Sequence, residues 1–149
     1  MIEYTRNKAK KHNRNNIEFY HAGFLTYNHK DNPVDVVITQ LALHHLPDFW
    51  KMIALRRIHQ ILCNHGILFL QDLVFPSNTD DYTSLFNPFI ERMKTAGDIK
   101  SAEALELHFK NEFSTLDWIM EDLLKRSGFI IDKANYYNHF FATYLCSKS

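Results

Sequence analysis

Glycine is scarce in this chain of 149 residues, which contains only four: Gly23, Gly66, Gly97 and Gly128. No two of them form a G-x-G sequence. A glycine-rich turn after a strand lets the backbone approach a nucleotide-type ligand closely, because glycine has no side chain to hold the backbone away. The chain therefore lacks the most familiar sequence sign of a nucleotide-binding loop.

Other absences narrow the class of protein further. Two cysteines, Cys63 and Cys146, are too few for a disulfide framework and are typical of a reducing cytosol. No apolar run approaches the ~18 residues of a membrane span, and no charged leader precedes an apolar segment. We therefore expect a cytoplasmic protein that has no membrane partner.

The charge of the chain is balanced, with 17 basic and 17 acidic residues, so no net field favours nucleic acid. Residues 1–16 are locally basic. We interpret this stretch as the solvated face of a helix, with RNA binding as the weaker alternative. A nucleic-acid partner is thus not expected.

Two strands and the helix between them form the most informative segment. Val34–Thr39 is a nearly continuous β-branched run, typical of a strand covered on both faces in a parallel sheet. Ile67–Leu70 is a second apolar run, and the residues between have the apolar spacing of a helix. This βαβ pattern predicts a ligand site beyond the carboxyl ends of the strands, at residues 39–46 and 71–75.

Capping residues predict the ends of the intervening helix. Pro47 and Asp48 are placed to begin it, with Asp48 near the first-turn amides, and Asn64 and Gly66 are placed to end it. The predicted apolar stripe of this helix comprises Phe49, Met52, Ile53, Leu55, Ile58, Ile61 and Leu62.

The rest of the chain is predicted to complete one partial domain of residues 1–149. A helix at residues 1–12 precedes a short strand, Ile17–Tyr20, and residues 76–112 form a helical lid insertion with breaks at Pro88 and Gly97. Ser114 or Thr115 is predicted to cap a helix that ends at Ser127–Gly128. Residues 130–136 and 139–146 are predicted to form an antiparallel hairpin.

Four motifs resemble those of a known family. They are DVVITQLALHHLPDFWK from Asp35, ALRRIHQILCNHGILFLQDLVF from Ala54, STLDWIMEDLLKRSGF from Ser114 and FFATYLCSK from Phe140. The chain resembles class I S-adenosylmethionine-dependent methyltransferases of the type 11/12 group, which act on small molecules. The resemblance covers nearly all of residues 1–149 and implies an α/β, Rossmann-like sheet with a C-terminal antiparallel hairpin.

The family sheet has the strand order 3-2-1-4-5-7-6. The resemblance implies that Ile17–Tyr20 is strand 3, Val34–Thr39 strand 4, Ile67–Leu70 strand 5 and the final hairpin strands 6 and 7. Strands 1 and 2 have no counterpart, so the resemblance implies an N-terminally truncated sheet. The edge of Val34–Thr39 is then open, and it would pair with Ile17–Tyr20, associate with another chain as in a homodimer, or lower the solubility.

The resemblance also implies positions for the cofactor. Ala22, Gly23 and Phe24 correspond to the adenine side of S-adenosylmethionine, although the acid usual in the family is absent there. Gln40, Leu41 and Ala42 correspond to the methionine side. Without the glycine-rich turn, we expect this chain to bind the cofactor weakly or not at all.

The catalytic candidates are His44, His45 and Asp72. By resemblance, the two histidines border the methyl-transfer centre, where a neutral imidazole could act as general base toward a small-molecule acceptor. The alternative is that one histidine fixes the loop through the backbone. Asp72 either orients the acceptor or caps the following turn.

Three residues near the end of the insertion have two interpretations. By resemblance, His108, Glu112 and Thr115 would face the site from the insertion side. They would otherwise form a solvated helix end and a helix cap.

A metal site and a non-catalytic role are the remaining alternatives. His59, Cys63 and His65 lack a fourth ligand at suitable spacing, so we expect no metal. The leading hypothesis is a methyltransferase-like protein. The alternative is a non-catalytic binding or dimerisation module that uses the exposed edge of residues 34–39.

Overall fold

The computed structural model describes residues 2–78, 81–138 and 140–149, and the chain divides into two units, Met1–Asp31 and Asn32–Ser149. The first unit contains helix α1 (Ile2–Lys11), close to its predicted bounds. The predicted strand at Ile17–Tyr20 is wrong, because these residues adopt no strand. A strand needs a neighbour for its backbone hydrogen bonds, and the described part of the first unit contains no other strand.

The second unit contains the sheet. Its elements are β1 (Val34–Gln40), a 3₁₀ turn (Leu43–His45), α2 (Asp48–Ile61), β2 (Leu62–Phe75), α3 (Tyr82–Thr95), α4 (Ile99–Asn111), β3 (Thr115–Leu116), α5 (Asp117–Arg126), β4 (Phe129–Tyr137) and β5 (Phe141–Lys148). The predicted insertion corresponds to α3 and α4, which pack against each other.

The sheet has the strand order β1-β2-β5-β4, with β3 pairing in parallel to the end of β2. Strands β1 and β2 are parallel, in a register from Val36 opposite Ile67 to Gln40 opposite Gln71. Strands β4 and β5 form an antiparallel hairpin. The predicted βαβ unit, the hairpin and the 4-5-7-6 order are confirmed. His139, a predicted hairpin residue, lies outside the described residues.

The two faces of this sheet are covered unequally. On one face, Leu68, Leu70 and Tyr144 are fully buried, and helices α2 and α5 pack against the sheet. On the other face, Ile38 is 70% exposed and Leu145 is 38% exposed. The prediction that Val34–Thr39 is covered on both faces is therefore wrong. A β-branched run favours a strand, but it does not determine what packs against each face.

Helix α2 begins as predicted, with Pro47 before its first residue Asp48, but its covered face and its end differ from the prediction. Phe49, predicted to be on the apolar stripe, is 66% exposed, whereas Lys51 is buried. The Asp48 carboxylate lies in the first turn, where it accepts from the Lys51 ammonium and the Thr115 hydroxyl. The helix ends at Ile61 and passes directly into β2. Gly66 lies within β2, where an added Cβ would stand 2.9 Å from the Cys63 carbonyl oxygen.

One of the two predicted breaks in the insertion is wrong. Pro88 lies inside α3, since a helix can lose the single hydrogen bond that proline removes when the rest of it is packed. Gly97, with a φ of +83°, does separate α3 from α4. Gly128, with a φ of +96°, follows the last turn of α5 as predicted. The role of residues 76–112 as a lid stays a prediction.

Candidate functional site

The candidate site is organised by Asp72, which is fully buried near the carboxyl end of β2. Its Oδ2 accepts hydrogen bonds from the backbone N–H groups of Leu43, at 2.8 Å, and His44, at 3.1 Å. Its Oδ1 accepts from the Leu73 N–H at 2.9 Å and from the His44 ring. Asp72 therefore fixes the 3₁₀ turn after β1 rather than the turn that follows its own strand. Such bonds compensate a buried carboxylate for its lost hydration.

His44 is held on both sides by neighbouring elements. It is 3% exposed, and its Nδ1 pairs with Asp72 Oδ1. Because the carboxylate can only accept, the hydrogen-bond network assigns the hydrogen to Nδ1 and leaves Nε2 as an acceptor. The backbone carbonyl of His44 accepts from the Phe113 N–H at 2.9 Å. The result is an imidazole with a fixed tautomer and orientation, as general-base chemistry requires.

Two further histidines surround His44. The His45 side chain is half-exposed and contacts Glu112, with 2.9 Å between Nδ1 and Oε2. His108, from α4, has its ring centroid 4.7 Å from that of His44 and 6.3 Å from that of His45. The structure thus brings together His44, His45, Asp72, His108 and Glu112, which come from three separate segments of the chain.

The electrostatics of this cluster follow from burial and pairing. Burial lowers the pKa of His108 below its ordinary value of 6.5, and the neighbouring His44 lowers it further. His108 is therefore neutral at pH 7. The hydrogen bond from His45 lowers the pKa of Glu112, which is therefore ionised at that pH. His108 Nε2 is buried and has no hydrogen-bond partner among the described residues.

Lys51 is a site-adjacent residue that sequence reasoning missed. Its buried ammonium donates to Asp48 Oδ1 at 2.7 Å and to the Phe113 carbonyl oxygen. Asp48 also accepts from the Thr115 hydroxyl at 3.4 Å. These bonds connect the start of α2 to the segment after α4. The spacing of the sequence could have indicated that Lys51 is buried. It precedes the buried Ala54, Leu55 and Ile58 by three, four and seven residues, which places it on the same face of the helix.

The predicted cap of α5 is wrong. The position before this helix is Leu116, which makes no side-chain capping bond, and the first-turn N–H of Trp118 donates to Asp117 Oδ1 at 2.7 Å. Thr115 lies in β3, where its hydroxyl is directed to Asp48 instead of to the amides of α5. Ser114, the other predicted cap, has a buried hydroxyl with no partner among the described residues.

Gln40, Leu41 and Ala42 connect β1 to the 3₁₀ turn. The Leu41 N–H donates to the Gln71 carbonyl oxygen at 2.9 Å. Leu41 has a φ of +48°, in the left-handed region, which costs a non-glycine residue about 1 kcal/mol or more. Such strain concentrates at functional sites, so it supports a functional interpretation of this turn.

Ala22, Gly23 and Phe24 belong to the first unit. Gly23 donates from its N–H to Thr26 Oγ1 at 2.9 Å, and an added Cβ there would meet nothing within 4 Å. Added side chains at Gly66 and Gly128 would strike Cys63 and His59 of the same chain. The described residues therefore include no glycine-rich turn of the kind that cradles a nucleotide-type cofactor in the family.

The other candidate ligands do not converge. His59 packs its ring against Phe129, with 5.2 Å between the ring centroids, and Cys63 Sγ contacts Asp35 Oδ1 at 3.6 Å. No group of three or more His, Cys, Asp or Glu residues in the described ranges has the arrangement of a metal site. No helix in those ranges is both long enough and apolar enough to span a membrane.

The structure is similar to several solved structures, all of low sequence identity. The [4+2]-cyclase SpnF matches with a TM-score of 0.69 and 12% identity, over 99% of this chain and 62% of that one. A protein assigned as a sarcosine dimethylglycine methyltransferase from Galdieria sulphuraria has a TM-score of 0.68 and 15% identity, over 99% and 65%. Magnesium protoporphyrin IX methyltransferase from Synechocystis, with bound SAH, has a TM-score of 0.64 and 12% identity, over 100% and 60%.

These likenesses confirm the Rossmann-like methyltransferase fold, and the chain spans less than two thirds of the length of each of the three proteins. No sequence match was found among curated proteins. The family model described as a methyltransferase domain matches residues 1–139, which is most of the chain. The chain belongs to this methyltransferase domain family.

Proposed function

We propose that the chain forms the acceptor-binding side of an S-adenosylmethionine-dependent methyltransferase that acts on a small molecule. The observation that carries this proposal is the Asp72–His44 pair, which lies where the parallel pairing of β1 and β2 ends, at Gln40 opposite Gln71. Ligands of open α/β sheets bind at this end of the strands. The family assignment supports methyl transfer, whereas the fold alone does not, since one of the similar structures is a cyclase.

In this proposal His44 takes up the proton of the acceptor. Asp72 holds Nδ1 in its protonated form, so that Nε2 is the basic atom. Asp72 also fixes the backbone of the turn through two N–H groups, which limits the movement of the imidazole. A positioned general base of this kind contributes about 10²–10⁴-fold to a reaction rate.

Methyl transfer can be measured directly. The chain is incubated with millimolar S-adenosylmethionine and a panel of small phenols, alcohols and amines, and release of S-adenosylhomocysteine is followed by mass spectrometry. We expect slow release that falls about a hundredfold in His44→Asn and is unchanged in His12→Gln, an exposed position after α1. Equal release by the folded His44→Asn variant would contradict the proposal, and no release with any acceptor would mean that the chain alone does not bind the donor.

We also propose that the chain by itself binds the donor weakly. The absence of a glycine-rich turn beside Gln40–Ala42 supports this view. Calorimetric titration with S-adenosylmethionine and with S-adenosylhomocysteine should give dissociation constants in the millimolar range. A micromolar constant for either compound would show that another part of the chain supplies the cradle.

A second candidate function is a non-catalytic module that forms a homodimer through β1. Strand β1 is the terminal strand of the sheet formed by the described residues, and its Val36 and Ile38 side chains are exposed. An open strand edge pairs readily with another strand. Light scattering over a range of concentrations should reveal a dimer that Ile38→Lys dissociates, and a monomer at every concentration would exclude this function.

A further inference from the structure

Lys51 places a charged group on the covered face of α2. Its side chain is 1% exposed, and it shares that face with the buried Ala54, Leu55 and Ile58. Burial of an ammonium group costs free energy, and an apolar side chain of similar volume at such a position is often as stable or more stable. Stability alone therefore does not account for a lysine here, and the contacts of its ammonium group indicate another role.

The Lys51 ammonium binds a segment that is distant in the sequence. It donates to the carbonyl oxygen of Phe113 and to Asp48 Oδ1, which lies 2.7 Å away. Asp48 Oδ2 accepts from the Thr115 hydroxyl at 3.4 Å. We call residues 112–115, which run from the end of α4 into β3, the strap. Helix α2 thus binds the strap at two positions, through a buried cation and through the carboxylate paired with it.

The strap also contacts the 3₁₀ turn that carries the two histidines. The Phe113 N–H donates to the His44 carbonyl oxygen at 2.9 Å, and Glu112 Oε2 lies 2.9 Å from His45 Nδ1. The Phe113 side chain is 48% exposed, so burial of its ring is not what holds the strap here. Instead, Phe113 is bound at both of its backbone groups, by His44 at the N–H and by Lys51 at the carbonyl oxygen.

We propose that Lys51 is a positioning residue of the candidate site, which fixes the strap against the 3₁₀ turn and thereby holds His44 and His45 in place. Asp72 fixes the same turn from β2, so the turn lies between two sets of hydrogen bonds. A general base depends on such fixing, because proton transfer requires a defined distance and orientation. The inference rests on the proposed function for the role of His44, but its hydrogen bonds are tested without methyl transfer.

Lys51→Met separates positioning from stability, because methionine fills a similar volume and donates no hydrogen bond. Asp48 is 47% exposed and stays hydrated without its partner, so the urea midpoint should remain close to that of the wild type. Amide hydrogen exchange at Phe113 should accelerate about tenfold, which corresponds to the loss of about one hydrogen bond, while exchange at Leu70 in β2 is unchanged. Unchanged exchange at Phe113 would overturn the proposal. A large fall in the midpoint or a failure to fold would also overturn it, since Lys51 would then act on stability.

The pKa of Glu112 provides a second readout, one that a purely structural role of Lys51 would not change. The hydrogen bond from His45 holds this pKa below its ordinary value of 4.5, burial opposes that effect, and the charges of His45, His108 and His44 add to it. Release of the strap in Lys51→Met separates Glu112 from His45, so the pKa should rise toward 4.5 when the carboxyl ¹³C signal is followed against pH.

The matched control for the lost charge is Lys110→Met. It removes one positive charge two residues from Glu112, at an exposed ammonium that pairs with Glu106 at 3.0 Å. We expect this variant to keep the wild-type pKa of Glu112 and the wild-type exchange at Phe113. An equal rise of the pKa in both variants would show that charge and not position is the cause, and an unchanged pKa in Lys51→Met would show that the strap stays in place without Lys51. Either result would overturn the proposal.

Discussion

The two faces of the sheet are built from the same strands and have opposite surroundings. Along β2, Leu68, Leu70 and Asp72 face the covered side and are buried. Ile67, Phe69 and Gln71 face the other side and are partly accessible. On both faces the side chains change from apolar to polar at Gln71 and Asp72, before the strand ends in the apolar residues Leu73, Val74 and Phe75. Only on the covered face does the polar residue, Asp72, form a closed hydrogen-bond network, because the 3₁₀ turn lies against that face.

This contrast shows that the elements packed against a strand determine which of its residues can form a functional site. Asp72 is fixed by four donors, whereas Gln71, one residue earlier, has a side-chain bond to the Tyr137 hydroxyl. A buried carboxylate is tolerated only when its hydrogen bonds are satisfied. The covered face therefore carries both the stability and the candidate chemistry, and the following substitutions measure the difference between the faces.

The largest effect is expected for Leu70→Ala on the covered face. Leu70 is fully buried, so the substitution removes buried apolar area and leaves a cavity, with a loss of about 2–5 kcal/mol in the free energy of unfolding. The matched control is Leu145→Ala on the open face of β5, which should lose no more than about 1 kcal/mol. Urea denaturation measures both. Equal losses would mean that the open face is covered in solution.

Asp72→Asn should be the next most damaging change. The amide keeps one acceptor oxygen, but its NH₂ group opposes donors that now meet the carboxylate, and we expect a loss of about 2–3 kcal/mol. The control is Asp132→Asn, an exposed residue of β4 whose Oδ1 accepts from the Ser147 hydroxyl at 3.1 Å. Hydrogen exchange should accelerate at the Leu43 and His44 amides in Asp72→Asn alone. Unchanged exchange there would contradict the proposed network.

The pH dependence of the free energy of unfolding should reveal the lowered pKa of His108. The unfolded chain binds a proton on this residue near its ordinary pKa of about 6.5, and the folded chain does so only at lower pH, because burial and the nearby His44 and His45 oppose the charge. Glu112 and Asp72 act in the opposite direction but do not prevail. The unfolded state therefore binds more protons in this interval, and the free energy of unfolding decreases as the pH falls below about 7.

Urea unfolding between about pH 7.5 and pH 5.5 measures this decrease. It should be smaller in His108→Gln than in the wild type, while His12→Gln keeps the full dependence. His59 contributes with the same sign, since burial lowers its pKa as well, so the dependence should be reduced but not abolished. A His108→Gln profile parallel to that of the wild type would show that the imidazole is hydrated in solution.

The sequence was sufficient for the parts of the fold that depend on local pattern. The βαβ unit and the closing hairpin follow from apolar runs and turn residues, and both are present. Ile17–Tyr20 was not predictable in the same way, because a short apolar run becomes a strand only when a partner strand lies beside it. The exposure of Ile38 depends likewise on which elements cover the sheet.

The candidate site was predictable in its residues but not in its connections. His44, His45 and Asp72 stand out because they follow the two strands that the sequence predicts, Val34–Thr39 and Ile67–Leu70. The bonds from Asp72 to the turn join residues far apart in sequence, and the burial of Lys51 depends on the Phe113 carbonyl. Such contacts are set by tertiary packing, and a single sequence carries no direct sign of them.

The smallest effect is expected for Ile38→Thr on the open face. Ile38 is 70% exposed at the edge of the sheet, and threonine keeps the β-branched shape that suits a strand. The free energy of unfolding should change by no more than about 0.5 kcal/mol. A loss well above this value that grows with protein concentration would mean that a second chain covers this face, because association stabilises the folded state by mass action. The same loss at every concentration would place the cover within the chain itself and remove the basis for the comparison between the two faces.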